Sequence, residues 1–428
     1  MKQKKKAYRI KPLTVLYFEQ AEITDADMIW GFLESGYEDV RIAELRVPDA
    51  EYTEEDLSAV LAEILRTEEE ILPGGPQVPH ADRKGELLVI TRDFSAVVAE
   101  ACHRTAHTYL SWVHDAPQRG LYLKEALYDT NRVFVFDKEQ LARMRARGIP
   151  HVFYRPLATN VTRVSMPEMM AKDLSPYRAD ISFVGNLYEN PARDAFFAKL
   201  APEAKKECDD LLDRAIGHRG EGGSVYEMLS RETYNGMRAH FSTEHKELYA
   251  EEDWEYLMVT ATLAQECAHR ERIRALTALS ALAAPEGDQS IRLYTTYPEE
   301  AKKMLPASLD IRGAVSYEEE MPLVFRASKI NLHLTPPSIE SGVSLRVFDI
   351  LGAGGFALTD AQPEIRELFT DGKELVTFSS FDEMMEKAAY YLSHEDERKK
   401  IAQAGHRRVR ECYTCPQAVR HMMKEAGI

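Results

Sequence analysis

Six short apolar runs, each parted from the next by a stretch of helical character, open this chain. That alternation constrains the fold more than any other feature. The runs are Leu13–Phe18, Val40–Leu45, Glu86–Thr91, Thr108–Val113, Arg132–Phe136 and His151–Tyr154. Helical patterns lie between them, among them Asp25–Glu34, Glu54–Arg66, Ser95–Ala106 and Lys138–Arg147. Strands joined by helices of this length pair in parallel, because a helix is long enough to carry the chain back across the sheet. The pattern therefore predicts βαβ units and a doubly wound α/β sheet. Between the second and third runs, LPGGPQVPH (72–80) reads as a Pro/Gly-rich surface loop.

The alternation starts a second time. A polar stretch, Ala158–Pro176, precedes ADISFVGNLY (179–188), a buried-strand run that ends on Gly-Asn. Pro191–Leu282 reads as mostly helical, with a polar gap at Gly217–Ser224, and is taken as an insertion. Strand runs return at Ile291–Thr295, Ile330–Leu334, Phe356–Thr359 and Leu375–Phe378. Helices follow at Asp382–Leu392 and Asp396–Arg410. A last one begins at Thr414-Cys-Pro-Gln417, with capping-box spacing and proline in its first turn. The expected organisation is a Rossmann-like domain over 1–160, a linker over 161–178, a second Rossmann-like domain over 179–410 with its insertion at 191–282, and a closing segment, 411–428. Ligands of such sheets sit in the crevice at the strand ends.

A chain of 428 residues is long enough for two or more domains. Its 54 Lys and Arg stand against 70 Asp and Glu, a formal charge of −16, which argues against a nucleic-acid partner. The basic leader Met1–Ile10 is followed by a short apolar stretch that Glu19 ends. A secretory h-region needs about seven apolar residues or more and a cleavage site, and a membrane span roughly 18. The protein is thus expected to be cytoplasmic and to have no transmembrane segment. Five scattered cysteines suit a reducing compartment. Cys412 and Cys415 form a C-x-x-C pair without a second pair to complete a zinc site, and His103 and His107 are read as non-ligands.

The segment SIESGVSLRVFDILGAGGFALTD (338–360) carries the most chemistry. A strand ending near Leu334 and a Pro-Pro turn lead to Glu340-Ser341-Gly342, then to a helix expected from about Val343 to Gly352. Ser341 is expected to cap that helix, and Gly342 to let a ligand approach the backbone. A helix N-terminus is a seat for phosphate. Arg346 and Asp349, three apart, share a face with Gly342 and Ala353, while Val343, Val347 and Leu351 form an apolar stripe. On residues alone this is an anion and diol site. The competing reading is an Arg346–Asp349 pair on a solvated surface.

The run SLRVFDILGAGGFALTD, with PEIRELFTDGKELVTFSSFDEMMEKAAYYLSHEDERKKIAQAGHRRV after it, resembles the group-1-type glycosyltransferases typified by the spore maturation protein CgeB. So do ADISFVGNLY, GAVSYEEEMPLVFRASKINLHLT, HTYLSWVHDAP (107–117), NRVFVFD (131–137) and YRPLATN (154–160). The resemblance implies a GT-B fold, two Rossmann-like domains facing across a cleft, with the last helix packing back on the N-terminal one. It implies a nucleotide-sugar substrate, no cofactor and no metal, and an acceptor that is a cell-surface, spore-coat or protein glycan. The helical insertion is open to use in oligomerisation. Asp349 occupies the place of the acid that holds the ribose hydroxyls, and Glu340 that of the catalytic acid near the transferred sugar. Their spacing is one residue longer than the family's, and Asp replaces Glu at the second position. Val315 and Ser316, in GAVSYEE (313–319), match the turn that holds the base. Gly185 matches the glycine after the domain's first strand, but Asn186-Leu187-Tyr188 stand where relatives have a basic pair. Arg346, helped by Arg193 or Arg272, would then neutralise the diphosphate, unless those two helpers are surface charges.

In the first half, His114-Asp115 follows a strand and would face the cleft, where the pair would serve as a general base toward an acceptor hydroxyl. A metal-dependent transferase of the other common fold is opposed by the position of Asp25-Ala-Asp27 at a helix start, where Asp is favoured for capping. A nucleotide-sugar epimerase of the same fold and a non-catalytic binding relative remain as alternatives.

Overall fold

The computed structural model describes residues 13–47, 51–71, 87–217, 227–282 and 290–428. The Met1–Ile10 leader, the 72–80 loop and most of the gap at 217–224 lie outside the described residues. The chain divides into two units. The first holds Met1–Phe136, Leu141–Arg155 and Cys415–Ile428; the second holds Asp137–Gln140 and Pro156–Thr414.

The strands of the first unit are β1 (Thr14–Glu19), β2 (Val40–Glu44), β3 (Leu87–Thr91), β4 (Thr108–Trp112), β5 (Asn131–Val135) and β6 (Val152–Tyr154). All pair in parallel, in the order β2-β1-β3-β4-β5-β6. Strands covered on both faces carry unbroken apolar runs, and β1 and β3 do so with Val15, Leu16, Tyr17, Val89 and Ile90 fully buried. The edge strand β2 alternates instead and leaves Ile42 exposed. The helix Cys415–Ala426 packs on the helix Asp25–Glu34, burying Val419, Met422 and Met423, while Ser35 Oγ donates to the Pro416 carbonyl at 3.0 Å.

The second unit is built on β7 (Ala179–Val184), β8 (Ile291–Tyr294), β9 (Asp310–Arg312), β10 (Ser328–His333), β11 (Ala357–Asp360) and β12 (Val376–Phe378). Its parallel order is β12-β11-β10-β7-β8-β9. The chain therefore winds outward from β7 to β9, then restarts at β10 and winds the other way. Ile181, Phe183, Leu293, Ile330, Leu332 and Leu358 form the sheet's part of one apolar core, against Leu276, Leu279, Met384 and Ala388 of the flanking helices. The insertion comprises Pro191–Phe197, Pro202–Gly217, Arg231–Arg238 and Glu251–Ser280, and packs a core of its own around Trp254, Leu211, Met237 and Cys267.

Three expectations change in detail. Strand β9 escapes sequence reading because two of its three residues, Asp310 and Arg312, are charged. The 161–178 segment counts with the second unit and carries short helices at Val161–Val164 and Pro167–Met170. The helix expected from Val343 begins at Leu345, with Ser344 at its N-cap. Its end is as read: Gly354 takes φ +84°, a left-handed conformation that suits glycine, and the chain passes into β11.

Candidate functional site

In the second unit the strand order reverses between β7 and β10, and in open α/β sheets ligands bind outside the carboxyl ends of the strands at such a point. The loops leaving the carboxyl ends of this sheet's strands carry six of the candidate residues. Gly185 follows β7, Val315 and Ser316 follow β9, and Glu340, Ser341 and Gly342 follow β10.

The helix Leu345–Gly352 presents Asp349 inward. Its carboxylate is buried, and Oδ1 accepts from the Thr159 hydroxyl at 2.8 Å and the Tyr317 hydroxyl at 3.1 Å. Arg346 Nη1 lies 3.7 Å from Oδ2, with the guanidinium 5.8 Å from the Phe325 ring and also against Met321 Sδ. A pair merely lying on a solvated face does not describe this: Asp349 is 8% exposed and bonded to two hydroxyls from other segments. Tyr317 in turn sits under Arg163, whose guanidinium carbon is 4.9 Å from the ring centroid and whose Nη1 donates to the Glu318 carbonyl at 2.8 Å. Within the turn, Ser316 N–H donates to Glu320 Oε2 at 3.0 Å, and Glu320 N–H returns a bond to Ser316 Oγ at 3.2 Å. That reciprocal pair fixes the backbone beside half-buried Val315.

The turn at 340–342 departs from expectation. Ser341 does not cap the helix, since its hydroxyl donates to Glu364 at 2.7 Å and lies 3.2 Å from Asp137 Oδ1. The N–H groups of Glu340, Ser341 and Gly342 all point at one atom, Asp137 Oδ2, at 2.8, 2.9 and 3.0 Å. Asp137 Oδ1 also takes the Gln140 N–H at 2.9 Å. The backbone beside Gly342 thus already holds an anion, a carboxylate of the chain itself, where sequence reasoning looked for phosphate. Three successive N–H groups on one oxygen form an anion nest. Glu340 accepts from the Tyr256 hydroxyl at 3.0 Å.

Arg193 and Arg272 are neither surface charges nor open cations. Arg193 is buried, pairs with Glu266 at 2.7 Å and donates to the Tyr188 carbonyl at 2.7 Å. Arg272, also buried, donates to the carbonyls of Ala268 and Leu334 at 3.1 and 2.9 Å and lies 4.8 Å from the Tyr188 ring centroid. Both arginines therefore brace the loops after β7 and β10. Gly185 donates to the Tyr294 carbonyl, which keeps it in the sheet.

In the first unit, His114 follows β4. Its backbone N–H donates to Asp93 Oδ1 at 2.7 Å, and that of Asp115 to the same atom at 3.3 Å. Arg92 Nε donates to His114 Nδ1 at 3.2 Å, and the imidazole meets the Trp112 ring edge-on. Burial, with the Arg92 cation second, holds the His114 pKa well below its usual value. A neutral ring that accepts at Nδ1 carries its proton on Nε2. In this arrangement Nδ1 is engaged by Arg92 and is not open to take the proton of an acceptor hydroxyl, as a general base would. Asp115 is exposed. Asp25 accepts from the Tyr17 hydroxyl at 2.6 Å and from the N–H groups of Gln20 and Glu22, so it ties down the entry to its helix. Among the described residues no group of three His, Cys, Asp or Glu is placed to hold a metal ion, and no helix is long and apolar enough to cross a membrane.

Thr159, Tyr317, Asp137, Glu364 and Tyr256 were not singled out from sequence. Four of the five nevertheless lie in strings that carry the resemblance: Asp137 ends NRVFVFD, Thr159 stands in YRPLATN, Tyr317 in GAVSYEE and Glu364 in PEIREL, while Tyr256 lies in none.

Residues 270–424 match a family model described as glycosyl transferase-like. No curated protein matches the chain in sequence. Among solved structures, HepE of Anabaena in complex with UDP and glucose shares 10% identity over 97% of this chain and 99% of its own, with a TM-score of 0.51. Sucrose-phosphate synthase of Thermosynechococcus elongatus shares 9% over 97% and 98%, with a TM-score of 0.52. A glycosyltransferase of Rickettsia africae shares 10% over 97% and 99%, with a TM-score of 0.54. The chain has the GT-B fold and carries a glycosyltransferase-like domain.

Proposed function

We propose that this protein transfers a sugar from a nucleotide sugar, bound by its second unit, to an acceptor hydroxyl on a cell-surface, spore-coat or protein glycan. The observation that carries the reading is the buried Asp349 carboxylate, joined to the 313–317 turn through Tyr317. Oδ1 accepts from two hydroxyls and Oδ2 lies 3.7 Å from Arg346 Nη1, and this buried carboxylate is the group assigned to the ribose diol. The base lies against the backbone at Val315 and Ser316. Arg346 and the first turn of its helix face the diphosphate, where a cation and a helix N-terminus both stabilise charge on the leaving group. Glu340 stands near the transferred sugar, oriented by Tyr256. The bond from the sugar to the phosphate breaks, a glycosidic bond forms, and the acceptor proton passes to solvent. The reaction uses no metal and no cofactor, and the enzyme works in the cytoplasm. Membership of the narrower CgeB-like group is supported by the strings shared across both halves. One structural neighbour, HepE of Anabaena, is known in complex with UDP and with UDP and glucose, which makes UDP-sugars the first donors to test.

The test is turnover of a panel of nucleotide sugars, followed by release of nucleoside diphosphate, with and without EDTA. Release that persists in EDTA supports the proposal. Release that is abolished by EDTA and restored by manganese overturns the metal-independent mechanism, and interconversion of the donor sugar without any acceptor would identify an epimerase.

A further inference from the structure

We propose that Asp137 is a positioning residue of the donor site, a carboxylate clamp that sets the 340–342 turn and with it the Glu340 side chain. The inference rests on the donor-site reading above. Asp137 is 1% exposed, and its two oxygens accept four backbone N–H groups, with the Ser341 hydroxyl 3.2 Å from Oδ1. Three of these N–H groups come from the 340–342 segment. That segment lies between β10 and the helix Leu345–Gly352, where no sheet or helix partner holds its N–H groups. Buried N–H groups must be paired, and one anion here pairs three in succession. Ser341 Oγ links the clamp to a second buried carboxylate, Glu364, whose Oε1 accepts the Lys138 N–H at 2.8 Å. The Glu364 N–H donates to the Ser341 carbonyl at 3.1 Å, so the turn is gripped on both sides.

This geometry has a consequence for chemistry. A turn without regular structure does not hold a carboxylate to the few tenths of an ångström that catalysis requires. The Asp137 clamp supplies that rigidity to Glu340, one end of the gripped turn, while Asp349 is held separately by Thr159 and Tyr317. Loss of the clamp should therefore harm the chemical step and spare nucleotide binding.

The experiment compares full-length wild type, Asp137→Asn and Asp137→Ala. Asparagine keeps an oxygen for the nest and loses the charge; alanine removes the acceptor. Three readouts are taken: amide hydrogen exchange at 340–342, calorimetric affinity for UDP, GDP, ADP and TDP, and kcat on the nucleotide sugar that wild type turns over. For Asp137→Ala we expect exchange at 340–342 to quicken by about tenfold or more. Its kcat should fall by about tenfold or more, with nucleotide affinity kept within about threefold. Asp137→Asn should recover part of kcat. Affinity and kcat falling together, or 340–342 exchange that stays at the wild-type level, would overturn the clamp. A gain in nucleotide affinity would also overturn it, by making Asp137 a competitor for a phosphate seat. If wild type binds no nucleotide and turns over no donor, the donor-site reading fails and the role of Asp137 in it falls too. The exchange measurement then reports separately whether the clamp itself exists.

Discussion

Replacing Asp349 by asparagine separates its structural duty from its proposed duty to the ribose. The amide oxygen can still accept from Thr159 and Tyr317, now 2.8 and 3.1 Å from Oδ1. Each of those bonds drops from a charged to a neutral acceptor, a loss of about 1 kcal/mol apiece at most. For a chain of this size the melting temperature should then fall by only a few degrees, at about 2–4 °C per kcal/mol. At the other oxygen the change is larger, because an NH2 group replaces the acceptor that would meet a ribose hydroxyl. A charge-assisted hydrogen bond contributes about 1.5–3 kcal/mol, and about 1.4 kcal/mol is a factor of ten in affinity. Asp349→Asn should therefore weaken nucleoside diphosphate binding about tenfold to a hundredfold, measured by isothermal titration calorimetry beside a thermal melt. Asp349→Ala should add a clear loss of stability, since it strands two buried hydroxyls at about 1–3 kcal/mol each. A melting temperature that falls while nucleotide affinity stays unchanged would refute the reasoning and leave Asp349 a purely structural acceptor.

Three further outcomes follow from the same structure. His114 is neutral in the fold, whereas the unfolded chain takes up a proton near its ordinary pKa, about 6.5. Its contribution to stability is thus complete above that pH and is lost as the pH drops below it. His114→Asn should flatten that part of a melting-temperature series from pH 7.5 to 5, and an unchanged slope would count against the buried neutral ring. Gly405→Ala drives a Cβ into the Glu374 carbonyl oxygen and to 2.8 Å from Leu351, which lies on the helix that carries Asp349. It should cost about 1–3 kcal/mol in a denaturant titration, and a neutral result would mean that the helix shifts freely. Deleting residues 415–428 should destabilise the first unit and leave nucleotide affinity within about twofold, because every proposed donor contact lies in the second. Equal losses would tie the tail to the donor site.

The fold was legible because both sheets are parallel and buried, so their strands are short apolar runs that a helix must separate. All six strands of the first sheet and five of the second lie within a residue or two of the apolar runs. The exception, β9, is an edge strand with charged ends. Asp349 and Arg346 were legible because helical spacing fixes which residues share a face. Their surroundings were not, since Thr159 lies 190 residues from Asp349 along the chain and Asp137 lies 203 from Glu340. Hydrogen bonds across such separations leave no periodicity in a sequence. The same holds for Arg193 and Arg272, whose helical positions say nothing of the loop carbonyls they hold. His114 was read from its residue type and its place after a strand, and neither tells that Arg92 holds its Nδ1.

The helix Cys415–Ala426 has a consequence for synthesis. It belongs to the first unit, yet the ribosome makes it only after all of the second. Until then the helix Asp25–Glu34 has nothing to cover the side on which Val419, Met422 and Met423 will lie, and the earliest part of the chain waits unfinished while the later part is made. A nascent chain halted at Thr414 would hold every strand of both sheets and still carry that bare side, a ready target for a chaperone or for a neighbouring nascent copy. Order of folding and order of translation therefore run in opposite directions, and the first unit is completed only by residues made after the whole of the second.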